Sequence, residues 1–219
     1  MKMMNCLIIT DIQYDFCPGG ALAVAGGDQT IPIINTISSK FDKVIATQDW
    51  HPPGHMSFAS TYGRHSYEVM TIVNQEQVLW PDHCVQGSAG ARLHKDLNPG
   101  PVDLIIRKGN DPNIDSYSSF VENDKVTKTG LQYYLWGLGV KHIYICGLAT
   151  DYCVYYSAMD AIALGFKVTV IIDACRGVDV PSGNVKKVLS EMRREHIMIE
   201  THDVILAQNL TADRFGRRQ

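Results

Sequence analysis

HIYICGLATDYCVYYSAMDAIALGFKVTVIID, from His142 to Asp173, holds a complete β-α-β unit. His142 to Cys146 is a continuous apolar run, the pattern of a strand covered on both faces. Cys146 to Cys153 reads as a strand end, a tight turn and a helix start. Asp151 to Leu164 carries Val154, Ala158, Ala161 and Ile162 on one side of a helix. Lys167 to Ile172 is a second apolar run, stopped by Asp173.

The pattern extends outward from this unit. Further strand-like runs are Cys6 to Ile9, ending at Asp11, and Lys43 to Thr47, ending at Asp49. Val102 to Ile106 ends at Lys108, and His196 to Ile199 closes the series. Helical spacing marks Thr30 to Phe41, with Pro32 near its start, where a missing N–H costs little. It also marks Lys128 to Leu138 (Leu131, Leu135, Leu138) and Ser182 to Glu195 (Val185, Val188, Leu189, Met192). Strands alternating with helices predict a doubly wound three-layer α/β/α fold with a mainly parallel sheet of about six strands.

A length of 219 residues suits a single domain over 1–219 and buries a full core without staples. The segment at about 50–101 is rich in Pro, Gly and His and long for a loop, which points to a functional role. With 45% hydrophobic and 20% charged residues and a net charge of -3, nothing suggests nucleic-acid binding. The basic end Arg214, Arg217, Arg218 reads as a solvated tail. Six dispersed cysteines, three of them in or beside apolar runs, fit a reducing compartment better than a disulfide framework. After Lys2 the apolar run from Leu7 to Ile9 stops at Asp11, so no secretory leader is expected. No stretch approaches the ~20 apolar residues of a membrane helix. A cytoplasmic protein is the expectation.

In open α/β sheets, ligands bind beyond the carboxyl ends of the strands. Asp11, Asp49, Lys108 and Gly147 to Cys153 all fall there. Cys153 sits in the first turn of a helix that Thr150 or Asp151 can cap. There the dipole and free amides would stabilise a thiolate against a free-thiol pKa of about 8.5, and the same amides can hold an oxyanion. Most free cysteines are nonetheless plain core residues. Asp11 can accept the thiol proton and return it to a leaving amine, and Lys108 can hold that carboxylate. Taken singly, a turn aspartate and a solvated strand-end lysine are the commoner readings.

Asp49 and His51, two residues apart just past a strand, can share a metal ion. His55 is four residues beyond His51, but Pro52, Pro53 and Gly54 between them rule against a helix. His65, His83 and His94 are possible third ligands, and composition does not choose among them. Phe16, Trp50, Trp80 and Tyr117 can wall a flat pocket for an aromatic ring, or simply pack the core. The Gly-rich run from Pro18 to Gly27 does not match a dinucleotide or phosphate loop.

Thr10-Asp-Ile-Gln-Tyr-Asp-Phe-Cys-Pro-Gly-Gly20 resembles the opening of the pyrazinamidase/nicotinamidase family, within the isochorismatase-like cysteine hydrolase superfamily. Thr47-Gln-Asp-Trp-His-Pro52 resembles its metal motif, and Trp80-Pro-Asp-His-Cys-Val85 the segment of its second metal histidine. Arg107-Lys-Gly109 followed by Asp115-Ser-Tyr-Ser118 resembles its lysine segment, and Gly147-Leu-Ala-Thr-Asp-Tyr-Cys-Val154 its nucleophile segment. The matches run in order from about residue 5 to about residue 177.

The resemblance implies a linear-amide hydrolase that converts nicotinamide to nicotinate and ammonia through a cysteine thioester, in NAD salvage. Cys153, Asp11 and Lys108 would be the catalytic triad. Asp49, His51 and His83 would hold one divalent metal ion, zinc first, with iron and manganese also suited. Amides of Ala149 and Cys153 would form the oxyanion hole, beside a cis Leu148–Ala149 peptide. Phe16, Trp80 and Tyr117 would flank the pyridine ring, and His55 and Ser57 would lie near the metal. Pyrazinamide-like amides are further candidate substrates, and a homo-oligomer is expected. One rival is a relative acting on carbamoyl or ureido substrates, but such relatives generally lack the two metal motifs. Another is a binding protein without turnover, against which the intact triad argues.

Overall fold

The computed structural model describes residues 4–72 and 75–208. Arg214, Arg217 and Arg218 lie outside the described residues. The chain opens with β1 (Met4–Thr10), α1 (Thr30–Ser38) and β2 (Lys43–Asp49). Then come β3 (Val69–Ile72), β4 (Gln75–Val78), β5 (Leu104–Lys108), α2 (Leu131–Gly137) and β6 (Val140–Leu148). The series ends with α3 (Tyr155–Ala163), β7 (Lys167–Arg176), α4 (Asn184–Arg194), β8 (Met198–Glu200) and α5 (His202–Ala207).

Six strands form one sheet in the order β5-β2-β1-β6-β7-β8, every neighbouring pair parallel. The continuous apolar runs are the reason: Leu7, Ile8, Val44, Ile45, Ile143 and Ile145 are all fully buried, as strands covered on both faces require. Helices α1 and α5 pack together on one face, while α3 contacts α4 and β7 on the other. Right-handed crossovers dictate this split, because β1-α1-β2 steps one way along the sheet and β6-α3-β7 the other. The order therefore reverses between β1 and β6. Their carboxyl ends, Asp11 and the segment after Leu148, face the crevice that such a reversal opens.

Gly147 makes this junction possible. It pairs with Thr10 at φ 110°, and a Cβ there would stand 2.1 Å from the Thr10 carbonyl oxygen. Gly147→Ala is expected to lower unfolding free energy by about 3 kcal/mol or more, through clash and backbone strain together. A urea titration reads this directly; an unchanged midpoint would refute the close approach.

Several boundaries differ from the sequence expectation; β7, for one, is not stopped by Asp173 but runs on to Arg176, where Gly147 and Leu148 of β6 still pair with it. Helix α1 stops at Ser38 rather than Phe41, because turn bonds from Lys40 N–H to Ile37 O and Phe41 N–H to Ser38 O drop Phe41 into the core. Segment 50–101 is not a plain loop, since β3 and β4 pair antiparallel within it and Ala59–Tyr62 forms a 3₁₀ turn. Among the described residues no disulfide joins the six cysteines, and all six are buried. Among the described residues, no helix is long and apolar enough to cross a membrane.

Candidate active site

Three strand ends bring three charged side chains together. Asp11 follows β1, Asp49 ends β2 and Lys108 ends β5, with Asp49 and Lys108 in register across the sheet. Lys108 is fully buried, and its Nζ is the hub of the site. It lies 2.8 Å from Asp49 Oδ1, 3.0 Å from Asp11 Oδ2, 3.2 Å from the Ser116 carbonyl and 3.5 Å from Cys153 Sγ. Burial acts to discharge this ammonium, but Asp11, Asp49 and Cys153 outweigh it and hold its pKa well above the usual lysine value. Burial would likewise raise Asp49, yet His51 and Lys108 keep its carboxyl well below the ordinary range.

Cys153 occupies the turn after β6. That turn is π-helical over Thr150–Val154, and Ala149 stands at its N-cap. Leu148–Ala149 is cis, in agreement with the expectation. The N–H groups of Tyr152 and Val154 both close on the Ala149 carbonyl at 3.1 Å, so these bonds bypass the Cys153 amide. Neither Thr150 nor Asp151 caps the helix, contrary to the sequence reading. The Asp151 carboxylate is drawn instead to the Val178 and Asp179 amides, both at 2.9 Å, and so ties the nucleophile turn to the segment before α4. The anticipated thiolate meets opposing influences. Burial pushes the Cys153 thiol well up, and Asp11 and Asp49 add to this against the single lowering influence of Lys108. Burial thus opposes the thiolate that a helix start was expected to favour.

Beside the triad lies a compact donor set. Asp49 Oδ2 is 2.9 Å from His51 Nε2 and 3.4 Å from His83 Nε2. His51 Nδ1–H donates to the Gly109 carbonyl at 3.0 Å, and His83 Nδ1–H to the Pro81 carbonyl at 2.8 Å. Each histidine thereby points its Nε2 at the same carboxylate, and that nitrogen offers a metal-ligating lone pair once it sheds its proton, with Nδ1–H held as in imidazole metal ligands. The ligand atoms of Asp49, His51 and His83 all lie within 4.8 Å of one another, so the residues fit a divalent cation. A second grouping of His51, His55 and Asp115 fits less well. Both His55 nitrogens are engaged, with Ser57 Oγ at 2.8 Å and the Ile114 carbonyl at 3.1 Å, and Gln77 donates to Asp115 at 2.7 Å. His55 instead stacks on His51, ring centroids 4.0 Å apart, and burial lowers its pKa to about 4. His65 is exposed, and His94 packs on Tyr14 away from this set. Gly109 permits the arrangement, because a Cβ there would meet the His51 ring at 2.5 Å.

Aromatic rings line the neighbourhood. Phe16 meets the His83 ring edge-on at 5.5 Å, and Trp80 Nε1–H donates to Tyr117 Oη at 3.2 Å. Tyr152, which sequence reasoning passed over, touches both Trp80 and Tyr117 at ring distances of 4.8 and 5.4 Å. Its place next to Cys153 in the sequence was the available signal. Trp50 instead supports Arg107, whose guanidinium stands 3.8 Å above its ring. Gln13 was also missed: its side chain pairs with the Asp49 backbone through two 2.8 Å bonds and so fixes the carboxylate's base. A buried glutamine in an apolar opening segment is the clue.

A buried Cys–Asp–Lys constellation at a sheet's topological switch, with an Asp/His/His donor set alongside, defines a cysteine hydrolase with a metal-capable site. The chain belongs to the isochorismatase family, whose Isochorismatase domain matches residues 5–203. Within that family it is 49% identical over 190 residues to a nicotinamidase of Acinetobacter baylyi, covering 86% of this chain and 88% of that one. Among solved structures it resembles an Acinetobacter baumanii nicotinamidase/pyrazinamidase, with 42% identity, a TM-score of 0.91 and coverage of 94% and 99%. It also resembles the Pyrococcus horikoshii pyrazinamidase solved in complex with zinc, with 38% identity, a TM-score of 0.74 and coverage of 90% and 99%.

Proposed function

We propose that this enzyme is a nicotinamidase in which Cys153 is the nucleophile, Asp11 the proton carrier and Lys108 their electrostatic partner. The observation that carries the reading is the Lys108 ammonium, which touches Asp11, Asp49 and Cys153 within 3.5 Å and so joins the triad to the donor set. Asp11 takes the Cys153 proton as sulfur attacks the carboxamide carbon. The Ala149 and Cys153 amides receive the oxyanion, and the nearby Lys108 ammonium offsets the negative charge that has passed from Asp11 to the tetrahedral adduct. Asp11 then gives its proton to the departing nitrogen, and ammonia leaves behind a thioester. Water adds to that thioester while Asp11 accepts its proton, and nicotinate is released as the thiol re-forms. The raised pKa values of both Asp11 and Cys153, each caused first by burial, suit a proton that passes between them only during attack.

Asp49, His51 and His83 would hold a divalent ion, zinc in this reading, which would supply a Lewis-acidic anchor that orients the pyridine ring. Phe16, Trp80 and Tyr117 flank that ring, with pyrazinamide-like amides as further substrates. The reading treats the chain as one hydrolase domain that works as a homo-oligomer in NAD salvage. It places the enzyme in the cytoplasm, a reducing compartment suited to cysteines that form no disulfides.

The test is ammonia release from nicotinamide by purified enzyme, before and after chelation and again after zinc is restored. Release should fall by about 100-fold or more on chelation and return with zinc, as loss of a substrate-orienting ion predicts. No release with zinc present would discard nicotinamide as the substrate. Release indifferent to chelation would discard the metal.

A further inference from the structure

We propose that Thr47 is a positioning residue for Asp11, an inference that rests on the hydrolase reading above and extends it to a residue outside the triad. Thr47 lies in β2, next to β1, and is fully buried. Its hydroxyl is 3.1 Å from the Asp11 N–H, which donates to it, and 2.6 Å from Asp11 Oδ1, to which it donates. One oxygen thus ties both the backbone and the carboxylate of the same residue. Asp11 needs such a tie, because its φ of 48° lies in the left-handed region that residues with a Cβ seldom occupy.

The tie also divides the two carboxylate oxygens by role. A hydroxyl has one proton, and here it goes to Oδ1. Oδ2 is left facing the Lys108 ammonium as an ion pair at 3.0 Å, and among the described residues no hydrogen bond of good geometry claims it. Oδ2 is therefore the oxygen that exchanges a proton with Cys153. The last torsion of an aspartate is broad and nearly two-fold, so without the Thr47 bond the carboxylate can turn and draw either oxygen to Lys108. Proton transfer depends on alignment within hydrogen-bond reach, so loss of the tie slows chemistry rather than substrate binding. Thr47 touches neither the ring-flanking residues nor the Asp49 carboxylate in any bond described, which separates its effect from metal and substrate affinity.

Thr47→Val keeps the side-chain shape and removes the hydroxyl, whereas Thr47→Ser keeps the hydroxyl and removes the methyl. With zinc-loaded enzyme, Thr47→Val is expected to lower kcat for nicotinamide by about 10- to 100-fold, the range of a disturbed general base. KM and zinc content should stay within about threefold, and Thr47→Ser should recover kcat to within about threefold of wild type, since neither readout nor variant loses the proton path. Alkylation of Cys153 by iodoacetamide, mapped by peptide mass, should slow about tenfold in Thr47→Val, because thiolate formation needs the same base. Wild-type kcat and alkylation in Thr47→Val, or a Thr47→Ser enzyme as impaired as Thr47→Val, would overturn the proposal. So would a matching loss of zinc or rise in KM, which would make Thr47 part of the scaffold. If Thr47→Val does not fold, Thr47→Ala against Thr47→Ser carries the same comparison. If wild type releases no ammonia from nicotinamide, the substrate assignment fails, while the alkylation ratio still tests the Thr47–Asp11 tie.

Discussion

Cys153→Ala is expected to lower the kcat of ammonia release by on the order of 10⁴-fold or more, because the covalent route disappears with the sulfur. The residual rate measures what the Ala149 and Cys153 amides and bound substrate achieve with water alone. Binding should survive. The donor set of Asp49, His51 and His83 and the rings of Phe16, Trp80 and Tyr117 do not depend on the thiol. Calorimetry should therefore give a nicotinamide affinity within about tenfold of wild type, since only ground-state contacts are read. Stability should change little by cavity loss, as one sulfur is small, and Lys108 keeps both carboxylates. Turnover within tenfold of wild type in this variant would remove Cys153 from the mechanism.

Asp49→Ala is expected to show the second large effect, and on two measurements at once. Oδ2 faces the two histidine Nε2 atoms and Oδ1 faces Lys108, so one substitution empties the donor set of its only carboxylate and strips the lysine of one counter-charge. Zinc content should fall below about a tenth of wild type, since a lost ligand costs at least as much affinity as the 10–100-fold of a lost outer-shell partner. Unfolding free energy should drop by about 3–5 kcal/mol, the cost of breaking a buried ion pair by removing one partner. Asp49→Asn separates the two, because it preserves shape and removes only charge. Full zinc content in both variants would contradict the site, whatever their activity.

Much of the fold was legible because parallel strands buried on both faces leave unbroken apolar runs. The residues that stop those runs, Asp11, Asp49 and Lys108, are polar for the same reason that they are useful: they stand at the crevice edge. Motif spacing carried the rest, from Thr10-Asp-Ile-Gln to Ala-Thr-Asp-Tyr-Cys153. Helix ends were less legible. Phe41 and the hairpin of β3 and β4 follow tertiary packing and pairing across residues far apart, which helical or strand periodicity does not record.

The sequence alone determined the order of the six sheet strands and of helices α1 to α4, the strand-end positions of the charged residues and the family resemblance, since each is written in local pattern. Only the tertiary structure decided which oxygen meets which partner. Lys108 reaches four groups because β5, β2 and β1 lie side by side, and His83 rather than His65 or His94 faces Asp49 because the Pro81 carbonyl orients its ring. Tertiary structure also bears on Cys153: a helix start favours a thiolate, whereas burial in the folded site pushes the thiol's pKa up.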